Sequence, residues 1–243
     1  MKRYRIDLSY KGTNYHGWQV QKNANTVQAE LNRALSVLLN SEIETIGCGR
    51  TDTGVHAKTY TAHFDCKEID CTQELIFKLN CILPQDIAVS ELQETSPKFH
   101  ARFDAVERTY KYFIHRRKSV FIDEFSYFFP SQLDILAMNE AGQELIGTHD
   151  FSSFCKQHSG AKTGICTLRL AIWSKEDDET LVFSMSADRF LRNMVRATVG
   201  TLLDVGLGKI SHKTFIEIFK AGNRSKAGVS VPAKGLFLWD IEY

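Results

Sequence analysis

The chain has 243 residues, of which 43% are hydrophobic and 24% are charged, with a formal net charge of +1. These values are typical of a globular protein with one or two domains, and they exclude a disordered chain or a protein that is basic throughout. No apolar run approaches the roughly 18 residues of a membrane-spanning helix. The charged start, Met1–Asp7, is unlike an export signal, so we expect a cytoplasmic protein without a membrane partner.

The first half of the chain predicts the order strand, helix, strand, strand, helix, strand. Periodicity places the strands at 3–10, 44–48, 59–66 and 87–93, and the helices at 27–38 and 73–80. Asn25 or Thr26 can cap the first helix, and Gln28 would complete a capping box that starts at Asn25. This order is the split βαβ arrangement of ferredoxin-like and RRM-like domains.

A similar order follows in the second half. Strands are predicted at 108–116, 168–174, 181–187 and 236–242, and helices at 132–146, 189–205 and 213–220. We therefore predict an α+β fold of two split-βαβ halves with mainly antiparallel sheets. The predicted domains are residues 1–98 and 99–243.

Basic residues are concentrated near the end of the chain. Residues 189–234 hold nine Lys or Arg against only Asp204 and Glu217. At about 100° per residue, a helix over 189–205 would place Arg189, Arg192 and Arg196 on one face, where they could meet phosphates or carboxylates. Alternatively, Asp188 and Asp204 pair with these arginines at the surface.

The glycine-rich stretch Gly49-Arg50-Thr51-Asp52-Thr53-Gly54-Val55-His56-Ala57 follows the second predicted strand. Side chains two residues apart in an extended segment project to the same face, so Arg50 and Asp52 would share one space. A nearby guanidinium keeps a carboxylate ionised. Asp52 is therefore either a structural ion-pair partner or a reactive group.

Other chemistries that these residue types suggest are disfavoured. Asp52-Thr53-Gly54 matches the aspartic-protease tripeptide, but it occurs once, and those enzymes need two carboxylates that share a proton. No nucleotide-binding loop and no H-E-x-x-H motif is present. The spacing of His149, Cys155, His158 and Cys166 fits no zinc pattern, so we expect no metal. The six cysteines include no C-x-x-C pair and are expected to be reduced thiols.

At Gly49–Ala57 the chain resembles the tRNA pseudouridine synthase A family. Thr53 is a departure, since alanine is common there. Further blocks match the family in order, and together they extend over nearly the whole chain: His16–Gln21, Phe99–Phe103, Arg108–Tyr112, His149–Phe154, Met194–Arg196 and Gly235–Leu238.

The resemblance implies isomerisation of uridine to pseudouridine in the anticodon arm of tRNA, at positions 38 to 40, without a cofactor or a metal. Asp52 would be the nucleophile and would attack either C1′ of the ribose or C6 of the base. Arg196 would pair with Asp52. Tyr110 would stack on the uracil and assist proton loss from C5, and Arg50 would help to flip the base.

The resemblance also assigns RNA contacts and a partner. The residues that line the RNA path would be Phe99, His100, Ala101, Arg102 and Phe103. The basic segment that includes Arg189 and Arg192 would contact successive phosphates of the RNA. For Phe99 and Phe103, core packing is the alternative, and Trp18 and Tyr112 are expected in the core. The family is homodimeric, and its two halves join around a basic cleft. The rival function is a non-catalytic RNA-binding or tRNA-chaperone protein.

Overall fold

The computed structural model describes residues 1–157, 160 and 162–243 and divides into two compact units. Unit 1 consists of Met1–Val106 with Phe237–Tyr243, and unit 2 consists of Glu107–Leu236. The sequence predicted a domain boundary between residues 98 and 99. It also assigned the final strand to the second half. That strand is grouped with unit 1 because it pairs with a strand of that unit, where Phe237 lies opposite His56.

The described residues form ten strands and five α-helices. The strands are β1 (Lys2–Tyr10), β2 (Ile46–Gly47), β3 (His56–Cys66), β4 (Ile87–Thr95), β5 (Glu107–His115), β6 (Tyr127–Phe128), β7 (Gly147–Asp150), β8 (Ile165–Lys175), β9 (Thr180–Ala187) and β10 (Leu236–Glu242). The helices are α1 (Val27–Leu39), α2 (Thr72–Ile82), α3 (Ile135–Gln143), α4 (Met194–Gly206) and α5 (His212–Lys220). The predicted α+β class is confirmed.

Unit 1 has the split βαβ order. β1 lies between β3 and β4 and is antiparallel to both, and β2 is antiparallel to β3. Alternate residues of β1 point into the core, where Tyr4, Ile6 and Leu8 are buried. Leu31 of α1 and Leu79 of α2 are buried as well, so the two helices complete the core.

The start of α1 follows the sequence in part. Thr26 is the N-cap, and its hydroxyl accepts a hydrogen bond from the amide of Ala29 at 3.4 Å. The predicted capping box is wrong, because Gln28 lies only two residues after this cap. Its buried side chain instead accepts from the amide of Val20 and donates to the carbonyl of Thr45.

Unit 2 is built on the antiparallel strand order β5-β9-β8-β7, with β6 parallel to β5. The sequence did not predict β6 or β7. The predicted helix 132–146 is shorter as α3, and Gly147, at a φ of 109°, begins β7 instead. Helix α3 packs on β8 and α4, and Phe154, Phe215 and Phe219 form an aromatic part of the core.

The predicted helix 189–205 is wrong in its first turn and a half. Helix α4 begins at Met194, after Asn193 in the left-handed conformation at a φ of 66°. The carboxylate of Asp188 accepts hydrogen bonds from the amides of Thr167 and Arg189, which ties the start of this segment to β8. Arg189 and Arg192 therefore do not share a helical face with Arg196.

Two further observations concern the whole described chain. Across these residues, no helix combines the length and hydrophobicity that crossing a bilayer requires. All six cysteines lie in the described ranges, and none of them forms a disulfide there.

Candidate active site

The loop that carries Asp52 is held to β3 on its amino-terminal side. The amide of Cys48 donates to the carbonyl of Thr61 at 2.9 Å, and the phenol of Tyr60 donates to the carbonyl of Gly49. Gly47 has no space for a side chain, since a Cβ there would overlap the Tyr60 hydroxyl and the Trp18 indole. The backbone therefore approaches β3 closely before it reaches Asp52.

The residue next to Asp52 is fixed in the interior of unit 1. Thr51 is buried, and its hydroxyl lies 2.9 Å from the hydroxyl of Tyr10 on β1. Gly17, at a φ of 86°, lies against the carbonyl oxygen of Thr51, where a Cβ would overlap it. Two separate segments, the end of β1 and the turn at Gly17, thus hold the peptide immediately before the candidate nucleophile.

A tight turn follows Asp52. The amide of Val55 donates to the carbonyl of Asp52 at 3.1 Å, and Gly54 adopts a φ of 78°, which glycine allows without strain. The amide of Gly54 donates to the carbonyl of Tyr15 at 3.2 Å. The Asp52 backbone is therefore held on both sides by contacts within unit 1.

Three aromatic rings in mutual contact, which the sequence did not assign to the site, lie beneath these hydrogen bonds. The Trp18 and Tyr60 rings are 4.1 Å apart between centroids, and Tyr10 contacts both at 6.4 and 5.5 Å. Trp18 is 1% exposed, which confirms that it belongs to the core. The family block His16–Gln21 pointed to this region, but only the fold shows that it supports the loop.

Exposure alternates across the candidate site. Arg50 is exposed, Thr51 is buried and Asp52 is half-buried. This alternation is what an extended segment produces, with Thr51 directed inward and its neighbours directed outward. The Asp52 carboxylate is thus carried by a fixed backbone and remains accessible, as a nucleophile toward a large substrate requires.

The Phe99–Phe103 segment lies in unit 1 and contains both buried and exposed residues. Ala101 is fully buried, and Phe99 is half-buried against Tyr243 and His63. Phe103 is 74% exposed, so the core-packing alternative is wrong for this residue. Its ring lies on the surface because the short turn at 100–104 directs it away from the sheet.

Tyr110 lies on β5 of unit 2, opposite Met185 of β9. The Tyr110 ring is half-buried and meets the edge of Phe190 at 4.8 Å between centroids. Two residues further, Tyr112 is fully buried, and its phenol donates to the carbonyl of Pro232 at 2.9 Å. Burial raises the pKa of Tyr112. Tyr112 is a core residue, as expected, whereas Tyr110 keeps an accessible ring.

Arg196 lies in the first turn of α4 and is half-buried. Its Nε donates to the carbonyl of Val231 at 2.7 Å, and the amide of Val231 donates back to the carbonyl of Arg196 at 3.2 Å. The segment that contains Val231 lies directly on α4, since a Cβ on Gly200 would overlap the carbonyl of Val229. The guanidinium is therefore held at its Nε by this segment.

Arg189 and Arg192 lie in the irregular segment before α4. Arg192 is exposed, and its carbonyl accepts from the amide of Lys156, whereas Arg189 is half-buried. The proposed surface pairing with Asp188 and Asp204 is wrong. Asp188 accepts from backbone amides, and Asp204 pairs with Lys209 at 3.5 Å.

Of the four residues considered as metal ligands, His158 lies outside the described residues. His149 binds the carbonyl of Ile146 and contacts the rings of Phe151 and Phe219, which is a structural environment. Burial raises the pKa of the Cys166 thiol to about 12. Within the described ranges, no group of three or more His, Cys, Asp or Glu side chains is arranged to hold a metal ion.

Known proteins resemble this chain along most of its length. The sequence model of the tRNA pseudouridine synthase family matches residues 8–104 and 141–243. The chain is 48% identical over 245 residues to tRNA pseudouridine synthase A of Bacteroides thetaiotaomicron, with 100% of this chain and 91% of that protein covered. It is 49% identical over 247 residues to tRNA pseudouridine synthase A of Bacteroides fragilis, with 100% and 97% covered.

A solved structure of an archaeal box H/ACA sRNP Nop10–Cbf5 complex is also similar, with a TM-score of 0.36 and 12% sequence identity. The likeness covers 80% of this chain and 45% of that chain. A TM-score this low supports no conclusion about function.

Proposed function

Because the chain belongs to the tRNA pseudouridine synthase family, we propose that it isomerises uridine to pseudouridine in the anticodon arm of tRNA, with Asp52 as the nucleophile. The chain is accordingly an isomerase whose substrate is tRNA. The positions 38 to 40 follow from the family resemblance alone and belong to the proposal.

The reaction exchanges one bond to the ribose for another. The N1–C1′ bond breaks, the uracil turns, and C5 bonds to C1′ while C5 loses its proton and N1 gains one. Attack by the Asp52 carboxylate on C1′ would release the uracil from the sugar, and attack on C6 would activate C5 instead; both routes remain open. No group is added overall, so no co-reactant is required.

The arrangement of the Asp52 loop is the observation that carries this proposal. Hydrogen bonds at Gly49, Thr51 and Gly54 hold the backbone, while the Asp52 side chain stays half-exposed. A nucleophile gains rate from being positioned in advance, because the ordering cost is met during folding. A protein that only binds RNA gains nothing from holding a carboxylate toward phosphates, so this arrangement disfavours the rival function.

Three other side chains have proposed roles. The accessible ring of Tyr110 would stack on the uracil and assist proton loss from C5. Arg196, held at Nε by Val231, would keep the reacting carboxylate ionised. Arg50 is exposed, and its planar guanidinium would take the place of the flipped base.

We further propose that tRNA is bound by Phe99–Phe103 together with Arg189 and Arg192. The exposed Phe103 and Arg102 supply an aromatic surface and a cation, and Arg192 supplies an exposed cation from unit 2. Phosphate contacts release counterions, so the affinity for tRNA should fall steeply as salt rises.

A homodimer in the cytoplasm, where tRNA is available, completes the proposal. Support for self-association comes from a cluster of exposed large apolar side chains in unit 2: Val120, Phe121, Ile122, Phe125 and Phe128. Such clusters mark interaction surfaces. Light scattering of the wild-type protein should give twice the mass of one chain, and Phe121→Ser should lower the measured mass. A monomeric wild-type protein would contradict the dimer.

The decisive experiment uses tRNA tritiated at uracil C5 and measures tritium release. We expect release by the wild-type protein, while Asp52→Asn binds tRNA with similar affinity and releases none. Equal release from both proteins would remove Asp52 from the mechanism. Tight binding without release from the wild-type protein would favour the non-catalytic RNA-binding function.

A further inference from the structure

The peptide groups of Ala101 are held from two sides. The amide of Ala101 donates to Nδ1 of His63 on β3 at 3.1 Å, and its carbonyl accepts from the phenol of Tyr243 at 2.8 Å. Ala101 is fully buried, so each of these bonds replaces one with water. The middle of the Phe99–Phe103 segment is thus fixed by two side chains that are distant in sequence.

The imidazole of His63 is suited to accept this hydrogen bond. The ring is buried, and burial together with Arg3 and His100 lowers the pKa of His63 to about 4. A neutral ring has one acceptor nitrogen, and the bond from Ala101 identifies it as Nδ1. The proton is then on Nε2, which is buried and has no hydrogen-bond partner among the residues that the structure describes. The His63 ring therefore makes its hydrogen bond to Ala101 at Nδ1, while the burial of its Nε2 is unfavourable.

Tyr243 is itself held in place. The guanidinium of Arg5 lies over its ring at 4.9 Å, and the Phe99 ring lies 5.2 Å away between centroids. Arg5 is bound to the carboxylate of Asp7 at 3.0 Å. The Tyr243 ring is therefore held by other residues of unit 1, and its hydroxyl is fixed where it donates to Ala101.

The residues that follow Ala101 are directed outward. The guanidinium of Arg102 lies 5.5 Å from the centroid of the exposed Phe103 ring, and the His100 ring lies 4.3 Å from that ring. Nδ1 of His100 also accepts from the amides of Arg102 and Phe103 and tightens the turn. An exposed aromatic ring beside a cation is a surface on which unpaired bases stack.

We propose that His63 and Tyr243 are positioning residues for tRNA binding, which hold the Ala101 backbone so that Arg102 and Phe103 face the RNA. This inference rests on the proposed function, because it requires that the Phe99–Phe103 segment contacts tRNA. Neither residue touches the reacting atoms; both act through the turn that they hold.

The first test removes only the phenol hydroxyl, with Tyr243→Phe. One neutral hydrogen bond corresponds to about a fivefold change, so we expect KM for tRNA to rise about fivefold while kcat stays the same. Tyr4→Phe is the matched control, because it also removes a phenol hydroxyl that is hydrogen-bonded to the backbone of unit 1, where it accepts from the amide of Ile69. The control should leave KM unchanged.

A second test uses His63. We expect His63→Ala to raise KM, and His63→Gln to recover part of the loss, because its amide oxygen can accept the hydrogen bond from Ala101. Thermal unfolding of each variant separates a local effect from misfolding. If His63→Ala fails to fold, Tyr243→Phe still decides the matter.

The deciding measurement combines Tyr243→Phe with Phe103→Ala. If Tyr243 acts by positioning the turn, its effect on KM should largely disappear once Phe103 is removed. Independent effects that multiply in the double variant would overturn the inference while leaving the RNA contact intact. An unchanged KM in Phe103→Ala alone would show that the segment does not bind tRNA, and the proposed RNA contact would fail together with the inference. In either case the assignment of Asp52 is judged separately by tritium release.

Discussion

The hydroxyl groups of Tyr10 and Thr51 lie 2.9 Å apart in the buried interior of unit 1. Tyr10 ends strand β1, and Thr51 directly precedes the candidate nucleophile Asp52. The end of the first strand is therefore in direct contact with the residue that precedes Asp52. Because Thr51 precedes the proposed nucleophile, we expect this one hydrogen bond to contribute to both stability and catalysis.

We expect Tyr10→Phe to lower both stability and rate. The loss of one buried hydrogen bond should reduce the free energy of unfolding by about 1 kcal/mol, measured by urea denaturation. A small displacement of a reacting group costs rate steeply, so kcat for tritium release should fall on the order of tenfold. A normal kcat in a destabilised protein would show that Thr51 does not position Asp52.

We expect Gly17→Ala to disrupt the same loop. The added Cβ would overlap the carbonyl of Thr51, and the φ of 86° is unfavourable for alanine. Strain of this kind costs roughly 1–3 kcal/mol, and thermal unfolding should show a lower midpoint together with lost activity. Gly49→Ala is the matched control in the loop itself, since its Cβ would meet no atom within 4 Å. A destabilised control or a stable Gly17→Ala protein would contradict the prediction.

We expect His63 to make the protein less stable in acid. Its pKa is lowered from 6.5 to about 4 in the folded chain. Between pH 6.5 and about pH 4, His63 is therefore protonated in the unfolded chain but neutral in the folded chain. The free energy of unfolding falls as the pH is lowered through this window. Unfolding midpoints of the wild-type protein and His63→Gln should converge as the pH falls across this window. A constant difference between the two proteins would contradict a lowered pKa at His63.

We expect Gly200→Ala to separate α4 from the segment that follows α5. The added Cβ would overlap the carbonyl of Val229, and the displaced segment would carry Val231 away from the Arg196 guanidinium. Activity should fall at least tenfold, by analogy with other small displacements of a site residue. Circular dichroism should show that the helices remain. Full activity would mean that the Val231 contact is irrelevant to Arg196.

Local patterns were sufficient for much of the fold and of the candidate site. Alternation and helical periodicity predicted most strands and helices, and β10 was predicted with its observed bounds. Prediction from the sequence failed for short segments whose conformation depends on tertiary contacts. β6 and β7 are stabilised by neighbouring strands, and the segment before α4 is fixed by Asp188 and by the left-handed backbone at Asn193. No periodicity in the sequence reports such contacts.

The sequence by itself determined the family, the candidate nucleophile Asp52 and its glycine-rich loop, because these depend on residue types at fixed spacing. Only the tertiary structure decided that Tyr10, Tyr15 and Tyr60 hold that loop, that His63 and Tyr243 hold Ala101, and that Phe103 faces outward. The physical reason is that these hydrogen bonds join residues that only the folded chain brings together, at sequence separations that no local pattern encodes.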